Sequence, residues 1–308
     1  SVTWSSKSSR CVGIVLRIGM GIEFEGRGCC NENGSLDSIA MDSIRATVAS
    51  PRIPWWMWLN ITSIDAVAVG CCWVTVYTVE FCERLPRLFE LAIVAVSIWL
   101  VYTADRLFDA VKVNASEPQT LRHRFHARHR RMLWLGWIST LSINVALIVG
   151  CASEAQLRVG VVAIAAVVAY GASVQLVRPI VRSIPKDVLA GSVFSFGVSV
   201  VAWSEYESDE LLCLTVANVM AASVFSANCF SIAIWESNFD RAQGFDSLAS
   251  RIGNPKSELA IWLLTHVAVA SVLFLLGLTS WFLFSCIAAS AGVLAALMWV
   301  AQGTDHRS

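Results

Sequence analysis

Between residues 60 and 301 the chain alternates between long apolar blocks and short polar connectors. The blocks cover about 60–80, 88–106, 133–152, 158–177, 187–204, 211–236, 259–278 and 281–301. A helix of about twenty apolar residues crosses the ~30 Å hydrocarbon core of a bilayer. The pattern therefore predicts an all-α fold: a polytopic membrane helical bundle of eight transmembrane helices, nine at most. Trp55, Trp56 and Trp58 stand ahead of the first block beside Arg52, as an interfacial aromatic anchor would. Only Thr279 and Ser280 separate the last two blocks, which predicts a tight helical hairpin.

Composition agrees. The 308 residues are 56% hydrophobic and 15% charged, with a mean hydropathy of +0.61. A soluble domain carries about 25% charged residues, so that class is excluded. Residues 1–50 differ from the rest. "GRGCCNENGSLDS" is polar and without helical period, and Arg17 interrupts the short apolar "CVGIVLRIGMGI". No signal-peptide core or cleavage site is visible there. The expected division is a disordered extension over 1–50 and a membrane domain over 51–304, with Met41 an alternative start. Ten cysteines form no CxxC pair. Cys71, Cys72, Cys151, Cys213, Cys229 and Cys286 lie in or beside apolar blocks and read as small buried residues.

Charge asymmetry sets the orientation. The connector after the second block carries Arg106, Lys112, Arg122, Arg124, Arg128, Arg130 and Arg131. Those after the fourth and sixth add Arg178, Arg182, Lys186, Arg241, Arg251 and Lys256. The opposite connectors hold only Arg84, Arg87 and Arg158, plus the acidic "SEYESDE". The positive-inside bias puts the basic loops and both termini in the cytoplasm. The expected protein is an integral, multi-pass protein of a plasma or inner membrane, with its active site facing the cytoplasm.

Two acidic pairs end blocks on that basic side: Asp105 with Asp109, and Glu236 with Asp240. Residues four apart share a helix face, where like charges repel. A helix C-terminus also disfavours negative charge. A hard divalent cation would offset both, because Mg²⁺ takes carboxylate oxygens together with substrate phosphates. Solvated helix ends are the bland alternative. Beside the first pair, "TLRHRFHARHRRML" holds five arginines and three histidines. Carboxylates that hold metal, next to cations that hold phosphate oxygens, suit a diphosphate. Topology alone also makes such loops basic. His123, His126 and His129 recur at spacing three without a matching cluster, and read as basic surface.

These motifs resemble the UbiA superfamily of intramembrane prenyltransferases. "VYTADRLFD" stands for the family's NxxxDxxxD after helix two, and "ESNFDRAQGFDSL" for its second acidic motif, with Asp240, Arg241, Gly244, Ser247 and Leu248 in frame. "IPKDVLAGSVFSFG" is similar to the family's entry into helix five, and the likeness covers about 55–301. Three positions depart from it. Val101 replaces a metal-binding Asn, Glu236 replaces an Asp, and Tyr170 is followed by Val174 where the family has Lys.

The resemblance implies Mg²⁺-dependent prenyl transfer from a polyprenyl diphosphate to an aromatic or other lipophilic acceptor inside the membrane. Asp105, Asp109, Glu236 and Asp240 would be the catalytic, metal-binding acids. Arg106, Lys112, Tyr170, Arg178, Lys186, Asn228 and Arg241 would contact substrate. Asn228 also reads as an interhelical hydrogen-bonding residue. The implied partners are that diphosphate, the acceptor and membrane lipid, with no nucleic acid. A transporter and a non-catalytic UbiA-like membrane protein are the rival readings. Nearly uncharged midplanes disfavour transport, with Asp65 the one intramembrane acid against this.

Overall fold

The computed structural model describes residues 12–18, 22–28, 55–112, 125–126, 128–176, 185–242, 249 and 252–305. In the first fifty, β1 (Val12–Ile18) pairs antiparallel with β2 (Ile22–Gly28), in a register that sets Arg17 opposite Glu23. Apolar and acidic residues alternate through "IEFEG", the period of a strand. The rest of the expected extension lies outside the described residues. Residues 1–57 and 303–308 form one unit, and Trp58–Gln302 form the other.

The larger unit is helical. Short α1 (Trp55–Ile61) precedes α2 (Ile64–Phe81), α3 (Leu88–Lys112), α4 (Arg130–Cys151) and α5 (Glu154–Leu176). Then come α6 (Lys186–Val198), α7 (Val200–Glu205), α8 (Leu211–Ala242), α9 (Pro255–Leu275) and α10 (Trp281–Asp305). Seven of these are long and apolar enough to cross a membrane: α2, α3, α4, α5, α8, α9 and α10. The chain is built as a multi-pass helical membrane protein.

The fifth expected span, 187–204, is not one helix. It divides into α6 and α7 at Ser199. There the backbone N–H of Ser199 is shared between the Ser195 and Phe196 carbonyls. Its hydroxyl donates to the same two oxygens. Asn218 of α8 donates to that hydroxyl at 2.6 Å. Side-chain back-bonding of this kind bends a helix.

Helix α8 buries the largest share of its span and α5 none among the described windows. The buried face of α8 includes Leu214, Ala217, Ala221, Val224 and Phe225. Small residues let α6 approach it closely: Gly191 lies against Ala222 and Ser226, and Ser195 donates to the Asn218 carbonyl at 2.8 Å. Within lipid, such packing and interhelical hydrogen bonds replace the hydrophobic driving force. Helices α3 and α4 are joined similarly, by Trp137 Nε1 to the Leu100 carbonyl and Asn144 Nδ2 to Ser97 Oγ. A tight turn follows α9, where Gly277 takes φ 72° and the Leu278 N–H reaches the Leu273 carbonyl. All seven cysteines among the described residues are free thiols.

A network of buried charge closes the end away from the acidic pairs. Arg84 donates to both carboxylate oxygens of Glu90, at 2.7 and 2.8 Å, and of Glu205, at 2.7 and 3.2 Å. Glu90, whose side chain is 1% exposed, also accepts from the Arg87 N–H and from Gln156 Nε2. These bonds tie α3, α5 and α7 together. Hydrogen bonds to Glu90 first, then to Glu205, hold the Arg84 guanidinium protonated well beyond its ordinary range.

Candidate functional site

The last turns of α3 carry Asp105, exposed, and Arg106 and Asp109, both half-buried. They share this end with the start of α2. Arg106 Nε donates to Ser63 Oγ at 2.9 Å. Ser63 is buried and left-handed, with φ 63°. A non-glycine residue there costs of order 1–2 kcal/mol per position, and the bond from Arg106 helps hold it. Asp65, the intramembrane acid of the sequence, occupies the first turn of α2. Its oxygens accept from Asn60 Nδ2 and the Ala66 N–H. A helix N-terminus favours negative charge, so this position needs no transport role.

Groups on two further helices, α5 and α8, lie within electrostatic reach of the first acidic pair, and α6 carries groups within reach of those. Tyr170, half-buried on α5, lies within electrostatic reach of Asp105, Cys229, Asp187 and Asp109. Cys229 on α8 lies within reach of Asp187, Lys186 and Asp105. Tyr102, one turn before Asp105's own, feels Cys229, Arg106, Asp65 and Asp105. Of the expected residues, Asp105, Asp109, Arg106 and Lys186 thus each act electrostatically on Tyr102, Tyr170 or Cys229.

Asp187 and Cys229 join them without having been expected. Asp187 is buried in the first turn of α6. Its signal was present, as the acid following Lys186 in "IPKDVLAG". It reads as an ordinary acid at a helix start.

The second pair lies on the last turns of α8. Glu236 is half-buried. At 3.6 residues per turn, positions seven and eleven beyond Cys229 return to within about 20° of its azimuth. Glu236 is the first of those positions, on the side of α8 that carries Cys229. The side chains of Asp240, Arg241 and Lys112, and all of Arg178, lie outside the described residues. Asn228 is exposed on α8, and its amide makes no interhelical hydrogen bond among the described residues. Among the described residues, no group of three or more His, Cys, Asp or Glu stands close enough to hold a metal ion.

In the basic connector the Phe125 ring packs edge-on against Trp58 at 5.7 Å and against His126 at 5.4 Å. His129 Nδ1 lies 3.0 Å from the Phe125 carbonyl oxygen. Those histidines belong to the helix start, while His123 lies outside the described residues. Chemically, the end of the bundle offers hard carboxylate oxygens, a phenol, a thiol and at least one ammonium, beside an apolar interior. No family model, no curated protein and no solved structure matches the chain.

Proposed function

We propose that this protein transfers a prenyl group from a polyprenyl diphosphate to a lipophilic acceptor, with the diphosphate held at the basic end of the bundle. One observation carries the reading: Asp105 and Asp109 of α3, Tyr170 of α5, Lys186 and Asp187 of α6 and Cys229 of α8 share one electrostatic neighbourhood at the end of an apolar bundle. Charged groups gathered there, beside lipid-soluble walls, suit a substrate with a diphosphate head and a hydrocarbon tail.

The donor set fits Mg²⁺, a hard cation that takes carboxylate oxygens. Asp105 and Asp109 would hold one ion, and Glu236 and Asp240 a second. Bound Mg²⁺ supplies neutralisation of the diphosphate and of the charge that grows on it as it leaves. Lys186, Arg106, Lys112, Arg178 and Arg241 contribute positive charge to the same oxygens, and Tyr170 offers a hydroxyl to orient them. The allylic C–O bond breaks with its electron pair going to pyrophosphate. The acceptor's electron pair then closes the new bond to that carbon, and a proton leaves the acceptor. The apolar walls exclude water, which would otherwise capture the cation.

The test is binding of a farnesyl diphosphate analogue to purified protein, with and without Mg²⁺. Binding should require Mg²⁺ and be lost in Asp109→Ala and in Asp240→Ala. Binding that is unchanged in both variants overturns the proposal. A non-catalytic membrane protein is the second reading, favoured by Val101 where a metal-binding Asn is expected. Mg²⁺-dependent binding without turnover of any acceptor would select it.

A further inference from the structure

The start of α4 lies outside the residues assigned above to the diphosphate. A shallow, open cavity lies there, lined among the described residues by Arg128, His129 and α4 as far as Ile138. Arg128, Arg130 and Arg131 form its polar rim, and all three are exposed. No carboxylate pairs with any of them among the described residues. Three guanidinium groups within four residues repel one another, and an anion between them offsets that repulsion.

Immediately below the rim the wall turns apolar. Met132, Leu135 and Ile138 are 74%, 69% and 53% exposed. Only Asn144 is buried along α4. A surface that is cationic above and hydrocarbon-like below, at the end of a spanning helix, matches a phospholipid's own division into phosphate and acyl chain. Arginine favours such a partner, because its planar fork binds phosphate oxygens in pairs.

We propose that this cavity is a binding site for one anionic phospholipid of the leaflet on the basic side. Its phosphodiester sits among Arg128, Arg130 and Arg131, and its acyl chains lie along Met132, Leu135 and Ile138. The site is separate from the diphosphate neighbourhood, which is bounded by α3, α5, α6 and α8. It still touches it: Trp134 of the cavity wall packs edge-on against Phe108, next to Asp109, at 5.7 Å. A bound lipid therefore braces the acidic end of α3.

The experiment exchanges the full, delipidated chain into mixed phosphatidylglycerol and phosphatidylcholine micelles and counts retained lipids by native mass spectrometry. One phosphatidylglycerol per chain should persist, at least tenfold above phosphatidylcholine. Each basic side chain at an anionic surface is worth roughly fivefold in affinity. R130Q alone should thus lower retention about fivefold, and R128Q/R130Q/R131Q on the order of 100-fold. R87Q and R158Q, at the other end, should change nothing. The single variant keeps the test decisive if the triple one misfolds.

Equal retention of the two lipids, or full retention in R130Q, overturns the proposal. Displacement by millimolar inorganic phosphate marks a soluble-anion site and also overturns it. Displacement by farnesyl diphosphate with Mg²⁺ would assign the cavity to the transfer reaction instead. Loss of prenyl diphosphate binding elsewhere leaves the lipid count unaffected, so the two proposals fail separately.

Discussion

Helix α6 contains two glycines six residues apart, and the same substitution should have opposite effects at each. A Cβ on Gly191 would lie 2.8 Å from the Ala222 carbonyl oxygen, and closer still to the Ser226 hydroxyl and backbone nitrogen. Two of those atoms are backbone of α8 and cannot rotate away. The contact with Ala222 alone falls short of ordinary van der Waals separation by about 0.6 Å, so the helices must part. Overpacking of this kind costs about 1–3 kcal/mol. A Cβ on Gly197 meets nothing within 4 Å. Alanine there gains helix propensity, about 0.5–1 kcal/mol. Reversible unfolding of the purified protein in mixed SDS micelles should place Gly191→Ala below wild type and Gly197→Ala at or above it. Asp187 lies one turn before Gly191 on α6, so Gly191→Ala should also weaken diphosphate-analogue binding while Gly197→Ala does not. Indistinguishable unfolding of the two variants would refute the close-packed α6–α8 seam.

The charged network offers a second contrast. Arg84→Met leaves the buried Glu90 carboxylate without its cation and should cost about 3–5 kcal/mol. Glu205→Gln removes the half-exposed arm and should cost at most about 1 kcal/mol. Adding Glu90→Gln to Arg84→Met should restore much of the loss, read in the same unfolding titration; a double variant no better than Arg84→Met would count against a charge effect. Beside this network the Cys82 thiol is pushed from its ordinary 9.0 up to about 11, by burial first and then by the Glu205 carboxylate, against the lowering pull of Arg84. The folded-state value is the higher one, so whatever stability it lends is complete below about pH 9 and lost as pH rises through about 11. Only the thiolate reacts, so maleimide should label Cys82 at pH 7.5 roughly 100-fold more slowly than free cysteine; labelling at the free rate would contradict this. Ser63→Gly removes the left-handed penalty but also the hydroxyl that holds Arg106. The two effects oppose, and Ser63→Ala, which keeps the strain and loses the bond, should be the less stable of the pair in a thermal melt.

Much of the architecture is visible in the sequence because lipid imposes a length. Seven apolar blocks became seven long helices, since a chain in hydrocarbon must satisfy its own backbone. The fifth block misled because Ser199 breaks it through Asn218, nineteen positions away, and no local pattern carries that. The first acidic pair was legible from its spacing of four. Asp187 was not, because an acid in a first turn is too common to stand out. The Arg84 network was hidden for another reason. Glu205 sits in an acidic stretch that reads as solvated loop, and its partner is 121 residues distant.

Arg84 knots α3, α5 and α7 at the end of the bundle remote from the carboxylates. Any rocking of those helices has its fulcrum there, and displacement grows with distance from a fulcrum. Along a ~30 Å helix, a tilt of 5° moves the far tip by about 2.6 Å. The lever arm is longest where Asp105, Asp109 and Tyr170 stand, so a small tilt about the pinned end displaces those side chains the most.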